Sequence, residues 1–72
     1  MAPQDKEHSR AAALEAWRSK LGRNRIIARQ IALEAAQRMV DAKFHRADIA
    51  RYFAQMMNGA ATPDDFTHHS VA

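Results

Sequence analysis

The basic side chains of this sequence are the residues whose types and spacing best indicate a binding site. No acidic residue occurs between Glu15 and Glu34, so positive charge accumulates in that stretch. Like charges held close together destabilise a fold, and arginine clusters bind phosphates or carboxylates. The pattern therefore predicts a basic patch that binds or steers an anionic partner. The patch comprises Arg18, Lys20, Arg23, Arg25 and Arg29, with Arg46 and Arg51 as a second, looser cluster.

A purely structural role for these cations is the alternative. Arg18 and Lys20 fall in the last turn of a predicted helix, where positive charge complements the helix dipole. Arg25 and Arg29 fall in the first turns of the next helix, where the dipole disfavours cations. The second pair departs from local preference, and that departure favours a functional patch.

A second candidate site is apolar. Tyr52, Phe53, Met56 and Met57 lie on one short predicted helix. They exceed what a single face can bury, because Met57 lies about 100° from Met56 around the helix. Methionine-rich surfaces adapt to their partners, so the group predicts a protein-binding interface, with Phe66 following it. The alternative is that both methionines fill the core of a small bundle.

Catalytic and metal-binding chemistry has little support in the sequence. The chain contains no cysteine, and no base is spaced to lie beside any of its serines or threonines. His68 and His69 are adjacent, so they point in different directions on a helix or a strand and chelate poorly. His8 and His45 are isolated, and His45 could instead cap a helix. We therefore expect a non-enzymatic protein with no catalytic residues, no cofactor and no metal site.

The stretch from Asn24 to Phe44 is the helix around which the other elements must be arranged. Asn24 is a good N-cap, because its side-chain oxygen can accept a backbone N–H of the first turn. The apolar residues of the stretch cover an arc of roughly 200°, so we expect two neighbouring helices to pack on it. They are Ile27, Ala28, Ile31, Ala32, Leu33, Ala35, Ala36, Met39, Val40 and Phe44.

The complete prediction is an all-α fold: a small three-helix domain made of a helical hairpin and a third, shorter helix. The helices are expected at 5–21, 24–44 and 46–58, within one domain at 5–59. Gly22 is a natural C′ residue for the first helix, and Gly59 ends the third. Residues 1–4 and 60–72 are expected to be flexible tails, the latter a mobile C-terminal tail with at most one helical turn at 63–67. Thr62 and Pro63 have the form of such a helix start.

The boundary between the second and third helices rests only on a change of hydrophobic phase near Phe44 and His45. One continuous helix over residues 24–57 is the alternative, and it would suit a coiled-coil dimer.

Composition narrows the class of protein. A chain of 72 residues forms at most one domain. No apolar run approaches the ~18 residues of a membrane span, and the absence of cysteine favours a cytoplasmic location. The segment after Arg51 offers no polar recognition helix, so sequence-specific duplex reading is disfavoured. The size and arrangement resemble those of small helical regulators of bacteria and mobile elements.

These observations predict a small regulatory protein that binds a protein partner. The Tyr52, Phe53, Met56 and Met57 surface would supply apolar area, and the basic patch would steer an acidic partner. The alternative is a DNA- or RNA-binding protein that uses the arginine-rich end of the hairpin on phosphates. A homodimer remains an open third possibility.

Overall fold

The computed structural model describes the backbone of residues 3–67 and the side chains of residues 9–66. No strand occurs in residues 3–67, so the predicted all-α class with three main helices is confirmed. Residues 1, 2 and 68–72 of the two predicted tails lie outside the described range. The elements are α1 at Pro3–Arg23, α2 at Arg25–Asp41, α3 at Arg46–Met57 and the short α4 at Asp64–Thr67.

Helix α1 extends beyond its predicted bounds at both ends. Pro3 begins it, which is compatible with the first turn because proline lacks only an N–H that has no intrahelical partner there. At the other end the helix continues through Gly22 to Arg23. Gly22 therefore does not adopt the predicted positive φ; among the glycines only Gly59 does. The chain turns one residue after Arg23, at Asn24.

Asn24 is the whole connection between α1 and α2. Its backbone has φ −148° and ψ 83°, which breaks the helix. Its Oδ1 accepts a 3.2 Å hydrogen bond from the backbone N–H of Ile27, as predicted for an N-cap. The two helices form a hairpin in which Trp17 and Leu21 share a buried cluster with Ala28.

Helix α2 ends at Asp41, earlier than predicted, in a Schellman motif. The backbone N–H of Lys43 bonds to the Val40 carbonyl at 3.0 Å, and that of Phe44 bonds to the Met39 carbonyl at 3.0 Å. Lys43 occupies the left-handed position with φ 69°. Phe44 then packs against the core.

Helix α3 begins separately, because His45 caps it. The imidazole Nδ1 accepts a 3.2 Å hydrogen bond from the backbone N–H of Ala47. The continuous helix over residues 24–57 is thereby excluded, and the predicted division into two helices is correct.

The core lies against one side of α2. Three of the α2 residues in it are alanines, which let neighbouring helices approach closely and leave the volume to be filled by longer side chains from α1 and α3. Met39 and Met56 are the largest fully buried side chains. The buried cluster consists of Trp17, Leu21, Ala28, Ala32, Ala35, Met39 and Met56.

Residues 61–66, which the sequence-based prediction assigned to the C-terminal tail, pack on the helices. Ala61 and Thr62 are each only 5% exposed. Phe66 packs against the core, and its ring stacks on Tyr52 with centroids 4.5 Å apart. The predicted helical turn is present as α4.

Candidate functional site

The C-terminal end of α3 is the most heavily hydrogen-bonded place in the described fold. Gly59 has φ 77°, the left-handed conformation that glycine adopts at little cost. Its N–H bonds to the Met56 carbonyl at 3.2 Å, and the N–H of Ala60 bonds to the Gln55 carbonyl at 2.8 Å. These two bonds make a second Schellman motif, which satisfies carbonyls that a helix end otherwise leaves without partners.

Side chains from α1 and α2 converge on the same helix end. Trp17 Nε1 donates to the Met56 carbonyl at 2.9 Å, in a buried hydrogen bond. Arg18 Nε donates to the Gly59 carbonyl at 2.7 Å. Arg25 Nη2 reaches the Met57 carbonyl at 3.4 Å. A helix C-terminus carries partial negative charge, so two guanidinium groups there stabilise the fold.

Two members of the predicted basic patch therefore have structural partners. The dipole that attracts Arg18 and Arg25 is that of α3, a helix distant from both in sequence. Arg25 is unfavourable at the start of its own helix but favourable beside the end of another. Because this relationship is tertiary, local charge preferences could not reveal it.

Of the remaining residues of the predicted patch, one has a side-chain partner and four have none in the described part of the chain. Arg51 pairs with Asp48 at 2.8 Å and lies 5.3 Å from the centre of the Tyr52 ring. The side chains of the other cations are exposed and make no hydrogen bond or ion pair with any other described residue. They are Lys20, Arg23, Arg29 and Arg46.

The predicted apolar interface is largely internal. Met56 is 0% exposed and belongs to the core, so it does not lie on the surface as predicted. Tyr52, Phe53 and Met57 are half-buried and pack against that core. Tyr52 also contacts Phe44 edge to face, with centroids 6.2 Å apart. The alternative reading of Met56 as core filler is the one the structure bears out.

The start of α4 is fixed by a reciprocal capping box. The Thr62 Oγ1 accepts from the N–H of Asp65 at 3.3 Å, and the N–H of Thr62 donates to Asp65 Oδ2 at 2.9 Å. The same carboxylate oxygen accepts from Arg10 Nη2 at 3.1 Å. Asp65 thus joins the first helix to the last.

An apolar groove of about 340 Å³ lies beside this junction, and Trp17, Ile31 and Pro63 contribute to its walls.

The outer face of α2, opposite the core, is the candidate site that sequence reasoning missed. Ile26 is 82% exposed, Leu33 38% and Val40 51%. They recur every seventh residue and lie on the side of the helix opposite Ala28 and Ala35. Ile27, beside them, is 50% exposed. The sequence-based prediction included Ile27, Leu33 and Val40 in one apolar arc that two neighbouring helices cover. Helices α1 and α3 do pack on α2, but these three residues stay exposed.

A signal for this face was present in the sequence. The spacing of Ile26, Leu33 and Val40 matches a heptad repeat, which is distinct from the spacing of the buried alanines. The predicted arc combines Leu33 and Val40 with the buried alanines and omits Ile26, so it does not divide α2 into a covered side and an open side.

Two further properties follow from the described residues. No group of three or more histidine or acidic side chains within them is placed to hold a metal ion. None of the helices in residues 3–67 combines the length and hydropathy required to cross a lipid bilayer.

No known protein family, curated protein or solved structure matches this chain. The function must therefore be argued from the chain's own surfaces.

Proposed function

We propose that this chain is a small non-enzymatic regulatory protein that acts by binding a protein partner through the outer face of α2. The observation that supports the proposal most directly is the exposure of Ile26, Leu33 and Val40 in one line along a single helix. Large apolar side chains aligned on an exposed helix face favour protein binding, because covering them removes apolar area from water.

The binding surface in this proposal differs from the Tyr52, Phe53, Met56 and Met57 group expected from sequence. Met56 cannot contact a partner without opening the core, and Tyr52 already stacks on Phe66. The α2 face needs no such rearrangement. Its side chains project from a helix whose opposite side is packed, so the helix is held rigid before binding.

Exposed cations lie in the N-terminal part of α2 and in the turn of α1 that precedes it. Arg29 lies on α2 between Ile26 and Leu33 in sequence, and Lys20 and Arg23 lie in the last turn of α1. Unpaired positive charge beside an apolar surface speeds the encounter with an acidic partner, and salt screens this effect. The partner's contact surface would therefore combine apolar side chains with at least one acidic side chain.

Site-specific photo-crosslinking tests the proposal. A photoreactive amino acid replaces Val40 on the outer face of α2, and in a control protein it replaces Glu15, an exposed position on α1. Both proteins are irradiated in cells of the organism that makes the chain. A protein adduct from position 40 but not from position 15 would support binding through the α2 face. Failure to form an adduct at position 40, or equal adducts at both positions, would contradict it.

A nucleic-acid-binding function is the second candidate. It is favoured by Lys20, Arg23, Arg29 and Arg46, which are exposed and lack partners among the described residues. Their charges are available for phosphates, whereas Arg18 and Arg25 already donate to the end of α3.

The second candidate is tested by titrating short duplex DNA and single-stranded RNA into the protein and following backbone amide NMR shifts. Binding that survives physiological salt and that Arg23→Gln and Lys20→Gln both weaken would support it. Each lost phosphate contact should lower the slope of log K against log salt by about 1. Shifts that vanish with modest salt would instead assign the cations to steering.

A further inference from the structure

We infer that the partner covering the outer face of α2 is the same face of a second copy of this chain, in a parallel two-helix contact. This inference rests on the proposed function, because it names the partner of that surface.

The exposed face has the residue spacing of a coiled-coil seam. Ile26, Leu33 and Val40 occupy one core position of successive heptads, the position usually labelled d. Gln30 and Gln37 fall three residues before Leu33 and Val40 and occupy the a position. Both glutamines are exposed. The seam therefore alternates apolar and amide layers over the 17 residues of α2, a length of about 25 Å.

The order of these layers selects a parallel pairing. In a parallel dimer each a residue faces its own copy and each d residue does the same. Glutamine would face glutamine, so the amides can hydrogen-bond to each other. In the usual antiparallel pairing a faces d, and Gln30 and Gln37 would lie against apolar side chains at a desolvation cost. Polar residues at a positions are a known means of fixing register.

Charge complementarity supports the same arrangement. Arg29 occupies a g position, and Glu34 occupies the e position of the next heptad. In a parallel dimer these two positions of different chains are neighbours, so Arg29 of each copy faces Glu34 of the other. Symmetry forms the pair twice. Both residues are exposed, and neither has a partner among the described residues.

The size of the surface sets the expected strength. Three apolar layers on one helix make a contact at the small end of specific interfaces, so the dimer is expected to be reversible and concentration-dependent. Its helices are already folded in the monomer, so association does not have to supply the entropy of forming them.

Sedimentation equilibrium of the full chain from about 10 µM to about 1 mM, the range of a weak complex, tests the inference. The mass should rise from 8.1 kDa toward twice that value with concentration. A mass that stays at 8.1 kDa throughout would overturn the inference.

Charge reversal then tests the geometry. Arg29→Glu places two acids opposite each other, and Glu34→Arg places two bases opposite each other, so each variant alone should dimerise about tenfold more weakly. An equimolar mixture of the two variants restores both pairs and should associate more strongly than either variant alone. Both positions are exposed, so far-UV circular dichroism should show unchanged folding. Unaltered dimerisation of the single variants, or no recovery in the mixture, would overturn the parallel pairing.

Leu33→Glu provides an independent variant in the centre of the face, and it should abolish the dimer. Retained association would place the dimer contact elsewhere and overturn the inference.

The crosslinking experiment separates the two proposals. An adduct at position 40 with a different protein, combined with a monomeric chain, leaves the proposed function intact and removes the second copy as the partner. If the chain is monomeric and forms no adduct at position 40, both the proposed function and the second copy as the partner are contradicted.

Discussion

Arg18 and Gly59 are fitted to each other in two ways. The guanidinium Nε donates a 2.7 Å hydrogen bond to the Gly59 carbonyl, and a Cβ at position 59 would lie 3.1 Å from Arg18 Cγ. The side chain therefore covers the glycine and satisfies its carbonyl. Gly59 needs its lack of a side chain both for its positive φ and for this contact.

Replacing Gly59 by alanine should destabilise the fold by about 1–2 kcal/mol, because a Cβ is strained at φ 77°. The free energy of unfolding, from urea denaturation followed by Trp17 fluorescence, measures the change. All such measurements belong at one low protein concentration, where association contributes least.

Gly22→Ala is the matched control. Gly22 lies within α1, and a Cβ there meets nothing within 4 Å. Alanine is the better helix former, so this variant should be stabilised by up to about 1 kcal/mol. If both glycine substitutions shift the free energy in the same direction, the roles assigned to the two glycines are wrong.

Arg18→Gln should lower stability by about 1 kcal/mol, because it removes a charge-assisted hydrogen bond from the end of α3. Lys20→Gln removes the same charge from an exposed neighbour whose side chain makes no hydrogen bond or ion pair among the described residues. It should change stability by less than about 0.5 kcal/mol. Thermal unfolding followed by far-UV circular dichroism compares them, and equal losses would show that only net charge matters.

Lys43→Gly should stabilise the protein by about 1 kcal/mol, since Lys43 occupies a left-handed position with φ 69°. Ala42→Gly is the control. Ala42 has φ −88°, so glycine relieves nothing there and should be neutral or destabilising. In chemical denaturation the midpoint should rise for Lys43→Gly and should not rise for Ala42→Gly. No rise for Lys43→Gly, or an equal rise for both, would contradict the prediction.

Asp65→Ala should destabilise the fold by about 1–2 kcal/mol, because it removes half of the capping box at the start of α4. Arg10→Ala removes only the ion pair, in which the Arg10 side chain is 56% exposed, and should cost less than about 1 kcal/mol. Amide hydrogen exchange at residues 60–66 reports the loosening locally. Faster exchange in the Arg10 variant than in the Asp65 variant would show that the ion pair, and not the capping box, holds this segment in place.

Sequence reasoning succeeded where the determining contacts are local. Asn24, His45 and Thr62 each bond to a backbone N–H two or three residues away, so the cap can be read from the neighbouring residues. Gly59 was recognised as a helix stop for the same reason. The class of fold followed from these caps and from the hydrophobic spacing between them.

Sequence reasoning failed where contacts between distant elements decide. Gly22 is a separate case, because two local signals compete there: glycine favours a helix end, but the chain breaks two residues later at Asn24, which caps the next helix. Lys43 takes a position usually held by glycine, and Phe44 packs on the core directly after it. The residue type of Lys43 does not indicate that it adopts this left-handed conformation.

The same limit applied to the candidate surfaces. Whether Met56 is covered depends on where Trp17 packs, and whether Leu33 is covered depends on how many helices lie against α2. The hydrophobic pattern marks both residues as apolar and does not distinguish them. The partners of Arg18 and Arg25 likewise lie 41 and 32 residues away along the chain.

The long-range bonds at the end of α3 also impose an order on synthesis. Arg18 leaves the ribosome 41 residues before its acceptor at Gly59, a delay of about 2–8 s at usual translation rates. The delay between Trp17 and its acceptor, the Met56 carbonyl, is almost as long. During that interval the emerging hairpin has an indole and a guanidinium without their native partners. The nascent chain therefore exposes the Trp17 indole, which the finished protein buries.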